Sequence, residues 1–281
     1  MMFAIAAGVL LLALMPATIA VAGPPPQRIV SLNLCVDQIL VDLVALGRIA
    51  ALSHLAADAE LSTIAEQART LPATRGDAET VLGLDPDLVL AGTFSNAAAV
   101  SLLERVGRRV VRISMASDLD GIRVSVRQVA SAVGETARGE TIIAEFDQRL
   151  ANLGKNQPAG TAAPTALIYQ VNGLTSGRGT LDDALLAAAG LRNLGLDFRL
   201  GTGGRMPLEL LVATPPDLLV LSGAVEQQRA AVADNLRHPA LTAVRRNHAS
   251  IELPWRTWLC GTPAVAGAIE VLGRARQALG P

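Results

Sequence analysis

The sequence predicts an α/β protein with two Rossmann-like lobes, each built on a parallel central sheet, joined by a long linking helix. Short apolar runs alternate with amphipathic helical patterns over residues 27–118 and again over 165–281, as in parallel sheets with crossover helices. The interval 119–153 shows helical periodicity alone, and one sequence pattern occurs once in each half. Since open α/β sheets bind ligands at the carboxyl ends of their strands, a ligand cleft is expected between the lobes.

Residues 1–22 are expected to be a cleaved secretory signal peptide that delivers the chain to the periplasm. Phe3–Met15 is almost continuously apolar, Pro16 interrupts the run, and Ala20-Val21-Ala22 supplies the small-x-small cleavage pattern. An uncleaved membrane anchor is the alternative, because the stretch is just long enough to span a bilayer. The proline and the small residues favour cleavage, although no Lys or Arg precedes the apolar run.

In the first lobe, 27–118, apolar runs bounded by glycine, proline and aspartate indicate short strands, and periodic patterns between them indicate helices. Gly47 and the dipeptide Asp85-Pro86 end two of these helices. Strands are expected at Arg28–Leu32, Arg48–Ser53, Leu88–Ala91 and Arg109–Ile113, and helices at Val36–Leu46, Glu79–Leu84 and Ala97–Val106.

The linking interval, 119–153, is expected to be one long helix with a weak point near Gly134. A segment rich in Gly, Pro and Ala, 154–164, leads to the second lobe, 165–281. Strands of that lobe are expected at Thr165–Tyr169, Asp217–Leu221 and Ser250–Leu253, and helices at Leu181–Ala189, Leu208–Ala213 and from Pro263 onward.

One pattern, a short helix followed by a Pro-Asp turn and a buried strand, occurs in both lobes. It covers Glu79–Gly92 and Glu209–Gly223, with the same spacing between the glutamate and the proline of the turn. Asp87 and Asp217 are expected to bond backbone N–H groups at the turn, a structural role that aspartate commonly has. The repetition indicates two similar α/β units.

Composition and charge exclude several classes of function. The 281 residues carry a formal net charge of −1, whereas nucleic-acid binding needs a clustered basic face. No phosphate-cradling glycine loop or nucleophile elbow follows a predicted strand, so no catalytic residues are expected. The three histidines lack the spacing of a ligand cluster, so neither a metal site nor an intrinsic cofactor is expected.

Arginine dominates the charged residues in the loops expected to line the cleft. Planar guanidinium groups suit the carboxylate, hydroxamate or catecholate oxygens of an anionic ligand. An ordinary solvated loop arginine is the alternative at each position. The candidates are Arg75, Arg178, Arg205 and Arg256.

Five further candidates lie near predicted strand ends. Trp255 and Trp258, the only tryptophans, could stack on a flat ligand, or one of them could cap the hydrophobic core. Tyr169, the sole tyrosine, ends a strand and could face either way. His54 could hydrogen-bond to a ligand or reach its metal, although a lone loop histidine is usually just exposed. Asn33 follows the first strand.

Cys35 and Cys260 are expected to form a disulfide. An exported chain meets an oxidising compartment, and two cysteines permit one bridge. Such a bridge would join elements on opposite sides of the cleft and limit its opening. Two buried thiols, or a pair of soft ligands facing a metal in the ligand, are the alternatives.

Five segments, in this order and spacing, resemble the periplasmic binding proteins for cobalamin, haem and ferric siderophores, and the resemblance covers nearly the whole chain after residue 27. The resemblance implies a non-enzymatic receptor, expected to be monomeric, that captures a metal chelate and delivers it to the permease of an ABC transporter with its ATPase. It also implies a small closing movement of the lobes about the linking helix. A sensor module of the same fold is the alternative. The segments are Arg28–Asn33, Leu43–Leu52, Glu79–Leu90, Gly179–Asn193 and Glu209–Asp217.

The same resemblance bears on the ligand and on docking. Haem carriers of the family usually place a tyrosine in the loop before the Glu79 helix, and this loop, Leu71–Gly76, has none. Together with the arginines, this favours a ferric siderophore, with cobalamin a close second and haem as the alternative. Family members often dock to the permease through one exposed acidic residue per lobe. Glu66 is the first-lobe candidate, whereas Arg192 occupies the position expected to be acidic in the second lobe.

Overall fold

The computed structural model describes residues 24–154, 162–222 and 234–280, and the predicted signal peptide lies outside these ranges. The first lobe contains the following elements: β1 (Ile29–Ser31), α1 (Leu34–Leu43), β2 (Ile49–Ser53), α2 (Ala65–Ala68), β3 (Ala73–Thr74), α3 (Ala78–Gly83), β4 (Leu88–Gly92), α4 (Ala97–Arg105) and β5 (Val110–Ile113). The strands form a parallel sheet in the order β3-β2-β1-β4-β5. The parallel pairing requires crossover connections, and α1, α3 and α4 supply three of them.

The interval 119–153 forms two helices, α5 (Leu119–Val133) and α6 (Thr136–Gly154), which corrects the expectation of one long linking helix. Gly134 ends α5 with a φ of 78°, a left-handed conformation that glycine adopts without strain. The chain then reverses. The ion pairs Arg127–Glu140 and Arg123–Asp147 join the two helices with residue numbers running in opposite directions, so the pair is an antiparallel hairpin.

The second lobe follows the hairpin and contains β6 (Thr165–Tyr169), β7 (Leu174–Thr175), α7 (Leu181–Ala188), β8 (Arg192–Asn193), β9 (Gly204–Arg205), α8 (Leu208–Ala213), β10 (Leu218–Ser222), α9 (Asp234–Arg237), α10 (Pro239–Asn247), β11 (Ala249–Leu253) and α11 (Val265–Ala278). A parallel sheet has the order β11-β10-β6-β8, while β7 and β9 form a separate antiparallel pair. Two parallel sheets in two lobes confirm the predicted fold class. Within the described ranges, no helix is long and apolar enough to cross a bilayer.

The α5–α6 hairpin contributes to the hydrophobic cores of both lobes. Val129 of α5 and Ile143 of α6 pack in the first-lobe core together with α1. Ile122 of α5 and Phe146 of α6 pack in the second-lobe core with α7 and α11. Helix α6 has 19 residues, which is a length of roughly 28 Å. Both helices of the hairpin, rather than a single helix, therefore join the lobes.

Side chains of the central strands are buried on both sheet faces, because helices cover both faces of a parallel sheet. All residues of β1 and β10 are buried. Along β6 the side chains alternate between two cores: Ile168 packs with α7 and α11, and Tyr169 packs with α8 and α10. The direction of each β6 side chain is therefore fixed by strand periodicity.

The aspartates of the repeated pattern connect neighbouring strands in both lobes. The Asp87 carboxylate accepts hydrogen bonds from the backbone N–H groups of Gln27 (2.6 Å) and Arg28 (3.0 Å), just before β1. The Asp217 carboxylate accepts the equivalent bond from the N–H of Thr165, at 2.7 Å, where β6 begins. The expectation of backbone N–H partners is confirmed, but the partners lie on the adjacent strand and not within the turn itself.

Candidate functional site

The carboxyl ends of β1, β4 and β5 surround a small cavity that also touches the second lobe. Its volume is about 30 Å³, which is room for about two water molecules at most. A metal chelate is far larger, so such a ligand has to lie on the open surface around this cavity. Residues lining the cavity include Asn33, Cys35, Phe94, Met115 and, from the second lobe, Gly261.

Large apolar side chains are exposed where strands of both lobes end. Phe94 follows β4 and is 77% exposed, Met115 follows β5 and is 51% exposed, and Trp255 follows β11 and is 41% exposed. Exposed apolar side chains that gather at one place mark a binding site more often than a single scattered side chain does, and Phe94 and Met115 line the same small cavity. Phe94 and Met115 fall in loops that the sequence places at the cleft, but neither is among the ligand contacts proposed from the sequence. The sequence pattern that could have identified them is a bulky apolar residue next to small polar residues at a predicted strand end.

The loops that present Phe94 and Met115 are held by serine hydroxyls. Ser95 Oγ accepts a bond from the N–H of Gly92 and donates to the carbonyl of Leu32, both at 3.0 Å, so the turn carrying Phe94 is anchored to the first strand. Ser125 Oγ of α5 donates to the carbonyl of Ser114, at 3.0 Å, beside Met115. Both apolar side chains therefore project from fixed backbone.

The four predicted arginines lie in loops or at a strand edge. Arg75, Arg178 and Arg205 are exposed, and none of them forms an ion pair with a carboxylate of the described residues. Arg256 differs, because its Nη1 donates to the carbonyl of Ala59 in the first lobe, at 3.4 Å. Three cations thus remain available to an anionic group, and the fourth also connects the lobes.

Tyr169 and Trp258 are core residues, which corrects their assignment as ligand contacts. The Tyr169 side chain is 1% exposed, and its hydroxyl donates to the carbonyl of Met206. Trp258 is buried with α11, and its Nε1 donates to the carbonyl of Leu253. Both polar ends have protein partners, so neither ring is available to a ligand. The alternative that one tryptophan caps the core holds for Trp258.

Asn33 and His54 remain at strand ends but differ in their surroundings. Asn33 Oδ1 accepts bonds from the N–H groups of Cys35 (2.9 Å) and Val36 (3.3 Å) and thereby caps α1. This capping is why α1 begins two residues earlier than the sequence pattern indicates. His54 is exposed at the start of a 3₁₀ turn that follows β2. Contact with a ligand stays a prediction for both residues.

The disulfide between Cys35 and Cys260 is present and joins the two lobes. The Cα atoms of the two cysteines are 5.1 Å apart, within the usual range for a disulfide. Cys35 lies in the first turn of α1, and Cys260 lies between β11 and α11. Because the sulfurs are bonded to each other, they are not soft ligands for a metal.

Two carboxyls, those of Asp37 and Asp182, have a pKa above the ordinary value because they are withdrawn from solvent. Burial raises the pKa of Asp37 well above its usual value, against the opposing effects of hydrogen bonds from Ser31 and from the N–H of Ser53. Burial also raises the pKa of Asp182, whose carboxylate accepts a bond from the Ser176 hydroxyl.

In the described part of the chain, no three His, Cys, Asp or Glu residues converge on a possible metal position.

Glu66, the candidate docking residue, and Arg192, which occupies the position expected to be acidic, are both exposed. Glu66 lies in the first turn of α2, and Arg192 lies in the edge strand β8. Arg192 forms an ion pair with Asp197 at 2.7 Å, so its charge is already partly compensated. Docking through Glu66 stays a prediction.

A family model described as "Periplasmic binding protein" matches residues 29–250. The chain belongs to this family. The match covers both sheets and the hairpin between them. Proteins of this family are the binding proteins of ABC importers and are not enzymes.

Two proteins from Halobacterium salinarum, strains R1 and NRC-1, both named "Cobalamin-binding protein", are similar to this periplasmic binding protein. Each is 25% identical over 197 residues, which cover 69% of this chain and 53% of the relative. The chain thus spans about half the length of the curated relatives that it matches.

Solved structures of several periplasmic binding proteins share the fold. The haem-binding protein RhuT from Roseiflexus sp. RS-1, in its apo form, has a TM-score of 0.76 and 25% identity, covering 90% of this chain and 98% of that one. The vitamin B12 binding protein BtuF of Vibrio cholerae has a TM-score of 0.68 and 18% identity, covering 91% and 98%. At the latter level of identity the likeness shows the fold alone.

Proposed function

We propose that this periplasmic binding protein captures a metal chelate of the cobalamin type in the cleft between its lobes and delivers it to the permease of an ABC importer. The observation that carries the proposal is the exposure of three large apolar side chains, Phe94, Met115 and Trp255, just after strands of the two lobes end. A macrocycle presents broad apolar faces and edges that such side chains can cover.

The chemistry of the site suits a chelate whose metal already holds its ligands. The sole tyrosine is buried, both cysteine sulfurs are bonded to each other, and no metal-binding cluster occurs in the described ranges. The cobalt of cobalamin needs no protein ligand, so packing and hydrogen bonds suffice for its capture. The two similar proteins named for cobalamin binding support the same ligand.

A ferric siderophore, which the sequence favours, becomes the second candidate. The exposed guanidinium groups of Arg75, Arg178 and Arg205 support it, since they match the oxygen-rich surface of an anionic chelate. The exposed apolar side chains at the strand ends would contribute little binding free energy to such a polar ligand. A cobalamin needs fewer charge contacts, although its single phosphate could engage one of these arginines.

The side chains give less support to haem as the ligand, although several solved structures of this fold are haem-binding proteins. Exposed side chains that could ligate the haem iron include His54 and Met115. Buried Tyr169 cannot reach a ligand in the cleft. The His54→Ala variant separates the possibilities, because loss of this imidazole should affect haem binding and leave cobalamin binding unchanged.

The test is calorimetric titration of the chain from Gly23 onward with cyanocobalamin, a ferric hydroxamate siderophore and haemin. We expect cyanocobalamin to bind most tightly and to quench the fluorescence of Trp255. A Trp255→Phe variant assigns the quenching, because Trp258 is buried. Tight binding of the siderophore or of haemin, with no heat from cyanocobalamin, would contradict the cobalamin assignment.

Delivery to an importer requires a separate measurement. The liganded protein is expected to stimulate ATP hydrolysis by its permease and ATPase reconstituted in liposomes, more than the ligand-free protein does. A protein that binds ligand tightly without any stimulation would act as a sensor module. The Glu66→Gln variant in the same assay tests the predicted docking residue.

A further inference from the structure

A segment of the second lobe, Leu259–Thr262, packs against the core of the first lobe and is called the crossing segment below. Cys260 is 2% exposed and packs in the first-lobe core, where Leu259 also packs at the edge. The chain returns to the second-lobe core at Val265. The crossing segment is therefore a second contact between the cores of the two lobes, in addition to the α5–α6 hairpin.

Three contacts fix the crossing segment in place. The disulfide bonds Cys260 to Cys35 in α1. Thr262 Oγ1 donates to Oε1 of Gln38, also in α1, at 3.3 Å in a buried position. A methyl group on Gly261 would lie 2.7 Å from the Cβ of Ala116 and 2.9 Å from its carbonyl oxygen, so the backbone at Gly261 packs too closely against Ala116 for a side chain to fit.

These contacts lie directly beside the proposed ligand surface. Gly261 and Cys35 line the same small cavity as Phe94 and Met115. Trp255 precedes Cys260 by five residues, and the residue after it, Arg256, bonds to the carbonyl of Ala59 across the lobes. The distance between Phe94 and Met115 of the first lobe and Trp255 of the second lobe therefore depends on how the crossing segment is held.

We propose that the crossing segment, through the bond between Cys35 and Cys260, holds the two lobes at a fixed separation and so preforms the ligand cleft. Movement between the lobes is then blocked by a second covalent connection, in addition to the hairpin. A preformed cleft binds more tightly, because a receptor that is competent only part of the time has its affinity reduced by that fraction. The identity of the ligand rests on the proposed function, whereas the fixed separation does not.

The first test needs no ligand. Small-angle scattering and hydrogen exchange compare the oxidised protein with the Cys35→Ser/Cys260→Ser variant. We expect the variant to have a larger radius of gyration and amides in α1 and Leu259–Thr262 that exchange at least tenfold faster. The matched control is Leu241→Ala, which removes a buried side chain from the far core of the second lobe. It should lower stability without enlarging the protein.

The second test uses cyanocobalamin as the probe. The oxidised protein should have the same radius of gyration with and without ligand, whereas the double variant should contract on binding and bind about tenfold more weakly, as expected if about one molecule in ten has the cleft closed. If cyanocobalamin, the siderophore and haemin all fail to bind, the proposed function is wrong. The scattering and hydrogen-exchange measurements without ligand still test whether the lobes have a fixed separation.

A double variant that fails to fold is replaced by the native protein treated with dithiothreitol. Each reaction breaks the Cys35–Cys260 bond, gives two thiols, and oxidises one dithiothreitol to its cyclic disulfide, so that two electrons and two protons are transferred. The ligand-free reduced protein should show the expansion and faster exchange described for the variant. A folded variant or reduced protein with unchanged radius and exchange would overturn the proposal, as would contraction of the oxidised protein on binding.

Discussion

The Asp217 carboxylate accepts two hydrogen bonds from Thr165, one from its backbone N–H and one from its hydroxyl, each 2.7 Å long. The Thr165 hydroxyl in turn accepts a bond from the N–H of Asp217 at 3.0 Å. Thr165 begins β6 and Asp217 precedes β10, so this reciprocal contact joins the two strands next to the register pair Ala166–Leu218. The hydrogen bonds from Thr165, backbone first, lower the pKa of Asp217.

We expect this lowered pKa to make stability depend on pH. A carboxyl with a depressed folded pKa contributes stability that is present above its unfolded value of about 3.9 and is lost as the pH falls through the folded value. We therefore expect the wild type to be more stable than the Asp217→Asn variant by an amount that is constant from about pH 5 to 7. This difference in unfolding free energy should become smaller below about pH 4. Urea unfolding followed by circular dichroism checks this. A difference that stays constant to pH 3 would contradict it.

The Phe94→Ala and Met115→Ala variants test the apolar surface. Each change should weaken cobalamin binding by about 1 kcal/mol, because an aromatic or thioether contact with the macrocycle is lost. Since both side chains are exposed, the unfolding free energy should change by less than about 0.5 kcal/mol. Val106→Ala is the matched control, because Val106 is half exposed at the end of α4 and remote from the strand ends. Equal losses at all three positions would remove the evidence for this surface.

The Arg75→Ala and Arg256→Ala variants report the charge of the ligand. Each should weaken binding of an anionic chelate by about 1–3 kcal/mol, since a charge-assisted hydrogen bond is lost. The loss should be smaller at high salt, which screens exposed charges. Calorimetry at two salt concentrations makes the measurement, with Arg69→Ala, in an exposed position after α2, as the control. Unchanged affinity at both positions would indicate a ligand without a charge at these contacts.

The Tyr169→Phe variant tests the reassignment of this residue to the core. Loss of the hydroxyl leaves the carbonyl of Met206 without this donor, so the unfolding free energy should fall by about 1 kcal/mol. Ligand affinity should be unchanged, because the ring does not reach the cleft. A substantial loss of affinity with unaltered stability would restore Tyr169 to the ligand site.

Much of the fold could be predicted because it depends on local sequence. Thr165–Tyr169 and Leu208–Ala213 form a strand and a helix with the predicted limits. The apolar runs are short, rich in Val, Ile and Leu, and bounded by glycine or proline, which leaves little choice of structure. The hairpin could not be predicted, because helical periodicity is the same on both sides of Gly134 whether the chain bends or reverses.

The site was predicted less completely than the fold, because a ligand site depends on the direction in which each side chain points. Tyr169 ends β6, but only the packing of the two sheet faces shows that odd-numbered side chains of this strand enter a core. Phenylalanine is usually a core residue, so its residue type alone gives no reason to expect Phe94 to be exposed. Its exposure depends on the conformation of the turn that Ser95 fixes. The disulfide was expected from the compartment and the even cysteine count, whereas the insertion of Cys260 into the first-lobe core left no signal in the sequence.

The two cores shared by the α5–α6 hairpin have a consequence for the order of folding. A chain made from its amino terminus completes β1 to β5 and the hairpin before β6 exists. At that stage Ile122 and Phe146 have no second-lobe partners and present an uncovered apolar stripe. The first lobe alone would therefore expose apolar side chains that the complete protein buries. Cutting the chain between the lobes would not release two independent proteins, and the whole molecule should melt in one transition.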